Sequence, residues 1–125
     1  MSVLVDSSVW IAYLRRRGDA ESLDWLIDED LIVTNELILA ELVPPLQVRR
    51  KRTLIRLLRE IECLPLHIDW SDIIRFQVTC LREGINKVGI PDLIIAQHAL
   101  QNHLALYSLD RHFRLMSEHL PLVLY

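Results

Sequence analysis

Short apolar runs without polar alternation, separated by stretches of helical periodicity, place the strongest limit on the fold. Val3-Leu4-Val5, Leu31-Ile32-Val33 and Leu104-Ala105-Leu106 each give way to polar residues within a position or two. A strand with one wet face alternates apolar and polar residues, so such runs belong to strands covered on both faces. Strands alternating with helices imply βαβ units and a parallel sheet. The chain reads as five strands, at 3–5, 31–34, 63–68, 104–108 and 122–125.

The intervening segments carry helix signals. Ser7 or Ser8 caps a first helix that reaches Arg17 and stops at Gly18, and Asp19 caps a second with Leu23, Leu26 and Ile27 inward. Asn35 caps a third, which Pro44-Pro45 should break after Val43. A basic helix is expected over 48–62, with Leu54, Leu58 and Ile61 on one face. Asp69 or Ser71 opens the next, and Pro91 suits the first position of another that runs to Asn102. Asp110 opens a short last helix.

At 125 residues, 51% hydrophobic and 25% charged, the chain has the size and composition of one soluble domain over 1–125. No apolar run is long enough for a membrane span and no leader pattern opens the chain, so a cytoplasmic protein is expected. Cys63 and Cys80 form no CxxC pattern and read as buried free thiols.

Several acids stand where structure alone does not ask for them. In an open α/β sheet, ligands bind beyond the carboxyl ends of the strands. Asp6 lies just past the first strand and Asp110 just past the fourth. Glu41 follows Leu37 and Ile38 by one helical turn, so it projects from an apolar face and needs a partner, a proton or a cation. Asp92 is the one acid at the start of a long apolar helix. Taken singly, Asp6 could make an Asx turn, Asp92 could complement a helix dipole and Asp110 could be an N-cap. Converging, the four would repel one another and need cations; an all-oxygen site suits Mg²⁺ or Mn²⁺. The net charge of −3 fits this, since without these four acids 14 basic residues face 13 acidic ones. The basic residues cluster in two runs, Arg15 to Arg17 and Arg49, Arg50, Lys51, Arg52, Arg56 and Arg59. Each is a solvated helix face or the footprint of a polyanion.

The stretches Val5-Asp6-Ser7-Ser8-Val9-Trp10-Ile11, Thr34-Asn35-Glu36-Leu37-Ile38-Leu39-Ala40-Glu41-Leu42, Pro91-Asp92-Leu93-Ile94-Ile95-Ala96 and 106–113 occur in one order across nearly the whole chain. In these the chain resembles PIN-domain ribonucleases, and within them the VapC toxins of type II toxin–antitoxin pairs. The resemblance implies a PIN-like α/β fold with a five-stranded parallel sheet in the order 3-2-1-4-5, helices on both faces, and a Mg²⁺-dependent endoribonuclease in which Mn²⁺ can substitute. It puts Asp6, Glu41, Asp92 and Asp110 on the family's acidic positions, as metal ligands and catalytic residues. Ser7 or Ser8 matches the hydroxyl residue beside the first acid, and Ser108 stands where threonine is more usual. His112 departs from the pattern, since many relatives have a further acid there: as a supporting polar residue it could ligate metal or contact phosphate, although a lone histidine on a short helix more often faces solvent. Arg49, Arg50, Lys51, Arg52 and Arg56 would then guide the RNA backbone. A VapB-like antitoxin is the implied partner, lying on an apolar surface that includes Trp10, Leu14 and Trp25, with a homodimer as another use of such surface. A phospho-acceptor receiver domain fits less well, because only Asp6 follows the first strand and Lys87 sits in a glycine loop. A silent RNA- or protein-binding module would not need all four acids.

Overall fold

The structure is a computed structural model that describes residues 1–15 and 22–125. The expected helix end at Gly18, the cap at Asp19 and the basic residues Arg16 and Arg17 lie outside the described residues. In chain order the elements are β1 (Val3–Val5), α1 (Ser7–Leu14), α2 (Ser22–Asp28), β2 (Ile32–Thr34), α3 (Glu36–Val48), α4 (Arg52–Arg59), β3 (Glu62–Cys63), α5 (Trp70–Arg82), α6 (Ile90–Gln101), β4 (Ala105–Tyr107) and α7 (Arg111–Ser117). None of these helices is long and apolar enough to cross a membrane.

Among the described residues the sheet has four strands in the order β3-β2-β1-β4, all parallel. Val5 pairs with Tyr107 and Leu4 with Val33. β1 and β4 are buried at every position, as their unbroken apolar runs require. The expected fifth strand is a correction. Residues 122–125 approach β4 through a single bridge, Leu106 to Leu124, with Leu106 N–H donating to Val123 and Tyr125 N–H to Leu106. Pro121 lies at the start of this run, and only Leu122 of it is buried, so little side-chain packing extends the ladder.

Three other boundaries differ from the sequence reading. α3 runs through Pro44 and Pro45 instead of ending before them. The carbonyls of Ala40 and Glu41 lose their helical donors there, but Ala40, Glu41 and both prolines are exposed, so water can take the donors' place. The basic helix starts at Arg52, because a tight turn after α3 occupies 49–51. β3 stops at Cys63 although the chain stays extended beyond it. There α6 replaces the strand ladder: His98 reaches the Pro65 carbonyl, Gln101 donates to His67 O, and Gln97 both donates to Asp69 O and accepts from Asp69 N–H. Cys63 itself is exposed, and only Cys80 is a buried thiol.

Asn35 and Asp69 cap α3 and α5 as their positions predicted. Asn35 does more than cap. Its Oδ1 accepts from Ile38 N–H at 2.9 Å, and its Nδ2 lies 2.9 Å from His98 Nδ1. Both residues are fully buried. Burial pushes the His98 imidazole below its ordinary range. The neutral ring then accepts from Asn35 at Nδ1 and donates from Nε2 to Pro65 O.

Candidate active site

The β1–β4 pairing brings the ends of the two strands together: Asp6 N–H donates to Tyr107 O at 2.9 Å. Asp6 is only 5% exposed. The hydroxyls of Ser8 and Ser108 both donate to its Oδ2, each at 2.8 Å, and lie 3.2 Å from each other. They also accept from Leu109 N–H and Asp110 N–H, respectively, each at 3.0 Å. Among the described residues nothing donates to Asp6 Oδ1. Ser8 is thus the hydroxyl that supports Asp6, and Ser7 makes no such contact. Neither serine caps α1. The N-cap is Asp6, whose side chain is held by the two hydroxyls and makes no capping bond.

Asp110 does two things at once. It caps α7, accepting from His112 N–H at 2.9 Å, and it faces Asp92. One ligand atom each of Asp92, Asp110 and His112 lie within 4.8 Å of one another. His112 Nδ1 is 3.0 Å from Asp110 Oδ1, close but not aligned as a hydrogen bond. The His112 side chain is only 20% exposed and turned to the acids. The signal was its spacing, two residues after a strand-end acid that caps the helix.

Burial first, and then the Asp110 charge, pushes the Asp92 carboxyl above the usual range. Asp6 adds to the rise, and a backbone hydrogen bond from Gly89 and the His112 ring work against it. Partial desolvation at the rim raises Glu41, followed by the charges of Asp6 and Asp92. The four acids therefore share one field at the carboxyl ends of β1 and β4. Glu41 occupies the rim. It is exposed rather than buried as a lone charge in apolar packing, because the apolar face of α3 is formed by Ile38, Leu39, Leu42 and Val43.

A groove of about 360 Å³ leads from Glu41 between α1, α3 and α4, lined by Leu14, Arg15, Pro45, Arg49 and Lys51 among others. A neighbouring apolar groove of about 340 Å³ is lined by Trp10, Leu14, Ile27, Leu54, Leu57 and Ile61. Trp10, expected to be partly exposed, is 5% exposed and belongs to the core at the floor of this groove. Trp25 is 54% exposed and does not line it. The basic run also divides: Arg49 and Lys51 face the Glu41 groove, Arg50, Arg52 and Arg59 line a separate recess, and Arg56 lines neither.

A strand-end acid site on a parallel sheet of this order defines a class, and the family model for the PIN domain matches residues 3–118. The chain belongs to the PIN-domain family. Comparison with curated proteins gives no match. Among solved structures, VapBC2 from Rickettsia felis, bound to a DNA fragment from their promoter, is similar at 17% identity and a TM-score of 0.77, covering 100% of this chain and 98% of that one. VapBC-1 from nontypeable Haemophilus influenzae is similar at 22% identity and a TM-score of 0.74, covering 100% and 97%. FitAcB from Neisseria gonorrhoeae is similar at 20% identity and a TM-score of 0.72, covering 98% and 96%. At these identities the likeness is one of fold.

Proposed function

We propose that the protein is a divalent-metal-dependent endoribonuclease, the toxin half of a toxin–antitoxin pair. The reading rests on one observation: Asp92, Asp110 and His112 bring ligand atoms within 4.8 Å of one another beyond the strand ends where Asp6 N–H bonds Tyr107 O, and the charges of Asp6 and Asp110 reach Asp92. Repelling carboxylates held together by the fold are a site for a cation.

Asp92, Asp110 and His112 present ligand atoms close enough to share an ion, and Asp6 offers its unbonded Oδ1. These residues fit Mg²⁺, and the imidazole nitrogen suits Mn²⁺ still better. Such an ion supplies neutralisation of charge on the phosphodiester and an activated water. The chain supplies the positioning. Ser8 and Ser108 fix the Asp6 carboxylate by its far oxygen, leaving the other for the site. The α7 cap holds Asp110 in one rotamer through His112 N–H. Glu41, raised and at the rim, is placed to take or give a proton. Arg15, Arg49 and Lys51 border Glu41 and offer cations to phosphates on either side of the scissile bond.

The partner is an antitoxin segment with an apolar face, seated in the groove floored by Trp10 and walled by Leu14, Ile27, Leu54 and Leu57. The structures similar to this chain include one described as a toxin–antitoxin complex from Klebsiella pneumoniae. Purified protein incubated with total RNA tests the reading. Cleavage is expected in Mg²⁺ or Mn²⁺, none in EDTA and little in Ca²⁺, whose looser coordination holds in-line geometry poorly. The mapped ends should be 5′-phosphate and 3′-hydroxyl. Cleavage undiminished in EDTA would remove the metal from the mechanism.

A further inference from the structure

The turn between α3 and α4 places cations where local rules oppose them. Arg50 sits at φ 57°, in the left-handed region that favours glycine. It occupies the C′ position of α3: Arg50 N–H donates to Gln47 O at 3.0 Å and Lys51 N–H to Leu46 O at 2.9 Å. Glycine would make the same turn without the strain of a side chain there. Lys51 and Arg52 then stand at the N-terminus of α4, beside the positive end of its dipole. Lys51 is the N-cap and makes no side-chain capping bond, and no acid stands in the first turn. The dipoles account for cations at the other ends, Arg49 after α3 and Arg56 and Arg59 in the last turn of α4. They do not account for Lys51 and Arg52, and they do not require arginine over glycine at position 50.

Arg50, Arg52 and Arg59 line one recess of about 500 Å³ with Val43, Gln47 and Ile55, and no acid lines it. None of the three arginines is in an ion pair with a described residue. The recess shares no residue with the Glu41 groove. At 3.6 residues per turn, the residues facing the two lie about 150° apart around α3 and about 130° apart around α4. Local rules broken together, on cations left without partners, mark a surface kept for a ligand rather than for stability.

We propose that Arg50, Arg52 and Arg59 form a second, non-catalytic site for the phosphate backbone of a folded RNA. Guanidinium forks match phosphate oxygens two at a time. The same turn offers Arg49 and Lys51 to a strand beside Glu41, and Arg50 and Arg52 to a strand on the other side of the helix pair. A ligand that meets both at once presents phosphates on two sides, as a stem or tertiary fold does and a short single strand does not. The inference rests on the ribonuclease reading for the nature of its ligand.

Binding to metal-free protein tests it separately from cleavage. A fluorescently labelled RNA stem-loop and a short single-stranded RNA are titrated in EDTA over a range of salt. Arg52→Gln with Arg59→Gln should weaken the stem-loop by about tenfold and lower its salt slope by about 1.5, with a smaller effect on the short strand. Arg56→Gln, which removes one arginine charge outside the recess, should change affinity less than twofold, against a larger loss for Arg52→Gln or Arg59→Gln alone. Arg50→Gly should raise the melting temperature, by about 3 to 5 °C, while weakening the stem-loop; Arg50→Lys, which keeps the charge but not the fork, should lose affinity, though less than Arg50→Gly. Equal losses for Arg56→Gln and for either recess arginine would reduce the effect to general charge and overturn the site. Polyglutamate that competes better than RNA would assign the recess to an acidic protein and overturn it too. Protein that binds through the recess but cleaves no RNA in Mg²⁺ would sink the ribonuclease reading and leave the recess standing.

Discussion

Ser8 and Ser108 are a hundred positions apart in the chain and meet on one oxygen of Asp6. That arrangement fixes a buried carboxylate in place beside two acids whose carboxyls are raised. Asp92 and Glu41 have carboxyls raised in the folded state, so folding takes up protons that the unfolded chain releases. The sign follows: without metal, stability falls as pH rises through the raised values. Asp92→Asn or Glu41→Gln should therefore raise the melting temperature by a few degrees at neutral pH in EDTA, with the gain shrinking toward pH 4. For Asp92→Asn, cleavage should fall by at least about a hundredfold. A stabilised Asp92→Asn that cleaves at the wild-type rate would remove Asp92 from the site. His98 has the opposite sign. Its ring is held neutral between Asn35 and Pro65, so its contribution is complete above the ordinary histidine range and is lost as pH falls through the lowered value. His98→Leu should cost about 1 to 3 kcal/mol at neutral pH, from leaving buried partners unpaired. It should also flatten the acid limb of a melting-temperature profile below pH 6. An unchanged limb would place the acid sensitivity elsewhere.

At the scale of the element, the parts most legible in the sequence were those set by local chemistry. The unbroken runs of β1, β2 and β4 gave buried parallel strands, and Asn35, Asp69 and Asp110 gave caps, because each signal lies within one turn of what it determines. The acids were legible for a similar reason: a carboxylate past a strand end needs no distant partner to be conspicuous. What was not legible depended on contacts between elements. α3 passes through its proline pair because the freed carbonyls face water, which periodicity does not report. The extended stretch after Cys63 has strand-like composition but bonds to α6 side chains, a pairing no local pattern contains. Trp10 lies in an apolar helix and reads as part of an exposed apolar surface, yet it is 5% exposed, at the floor of the groove it shares with α2 and α4 residues. The two tryptophans should now separate cleanly in urea unfolding. Trp10→Ala should cost about 3 to 5 kcal/mol as a core truncation, and Trp25→Ala within about 0.5 kcal/mol as a surface change. Equal costs would contradict the burial of Trp10. Loss of antitoxin binding in a stable Leu57→Ala variant, rather than in Trp10→Ala, is then the clean test of the apolar groove.

Across the whole molecule, the sheet order places β1 and β4 side by side at the centre of the acid cluster, with β4 close to the end of the ladder. Residues 122–125 lie on its far side, through Leu124 and through Tyr125, whose ring lies 5.1 Å from that of Tyr107. Deleting 122–125 should expose the β4 edge, lower stability by about 2 kcal/mol and promote self-association that scales with concentration. Size-exclusion chromatography and thermal melts of the truncated chain check this; a monomeric truncation of unchanged stability would show that β4 needs no cover. The grip of α6 on residues 65 to 69 has a consequence of another kind. Gln97, His98 and Gln101 hold that stretch by its main chain, while Pro65, His67 and Ile68 turn their own side chains outward. A segment held by its carbonyls is indifferent to its own spelling. Among related chains, positions 65 to 68 should be free to drift, and the constraint that keeps them in place should be written 33 and 34 positions further along the chain's text, in the identities of a histidine and a glutamine on α6.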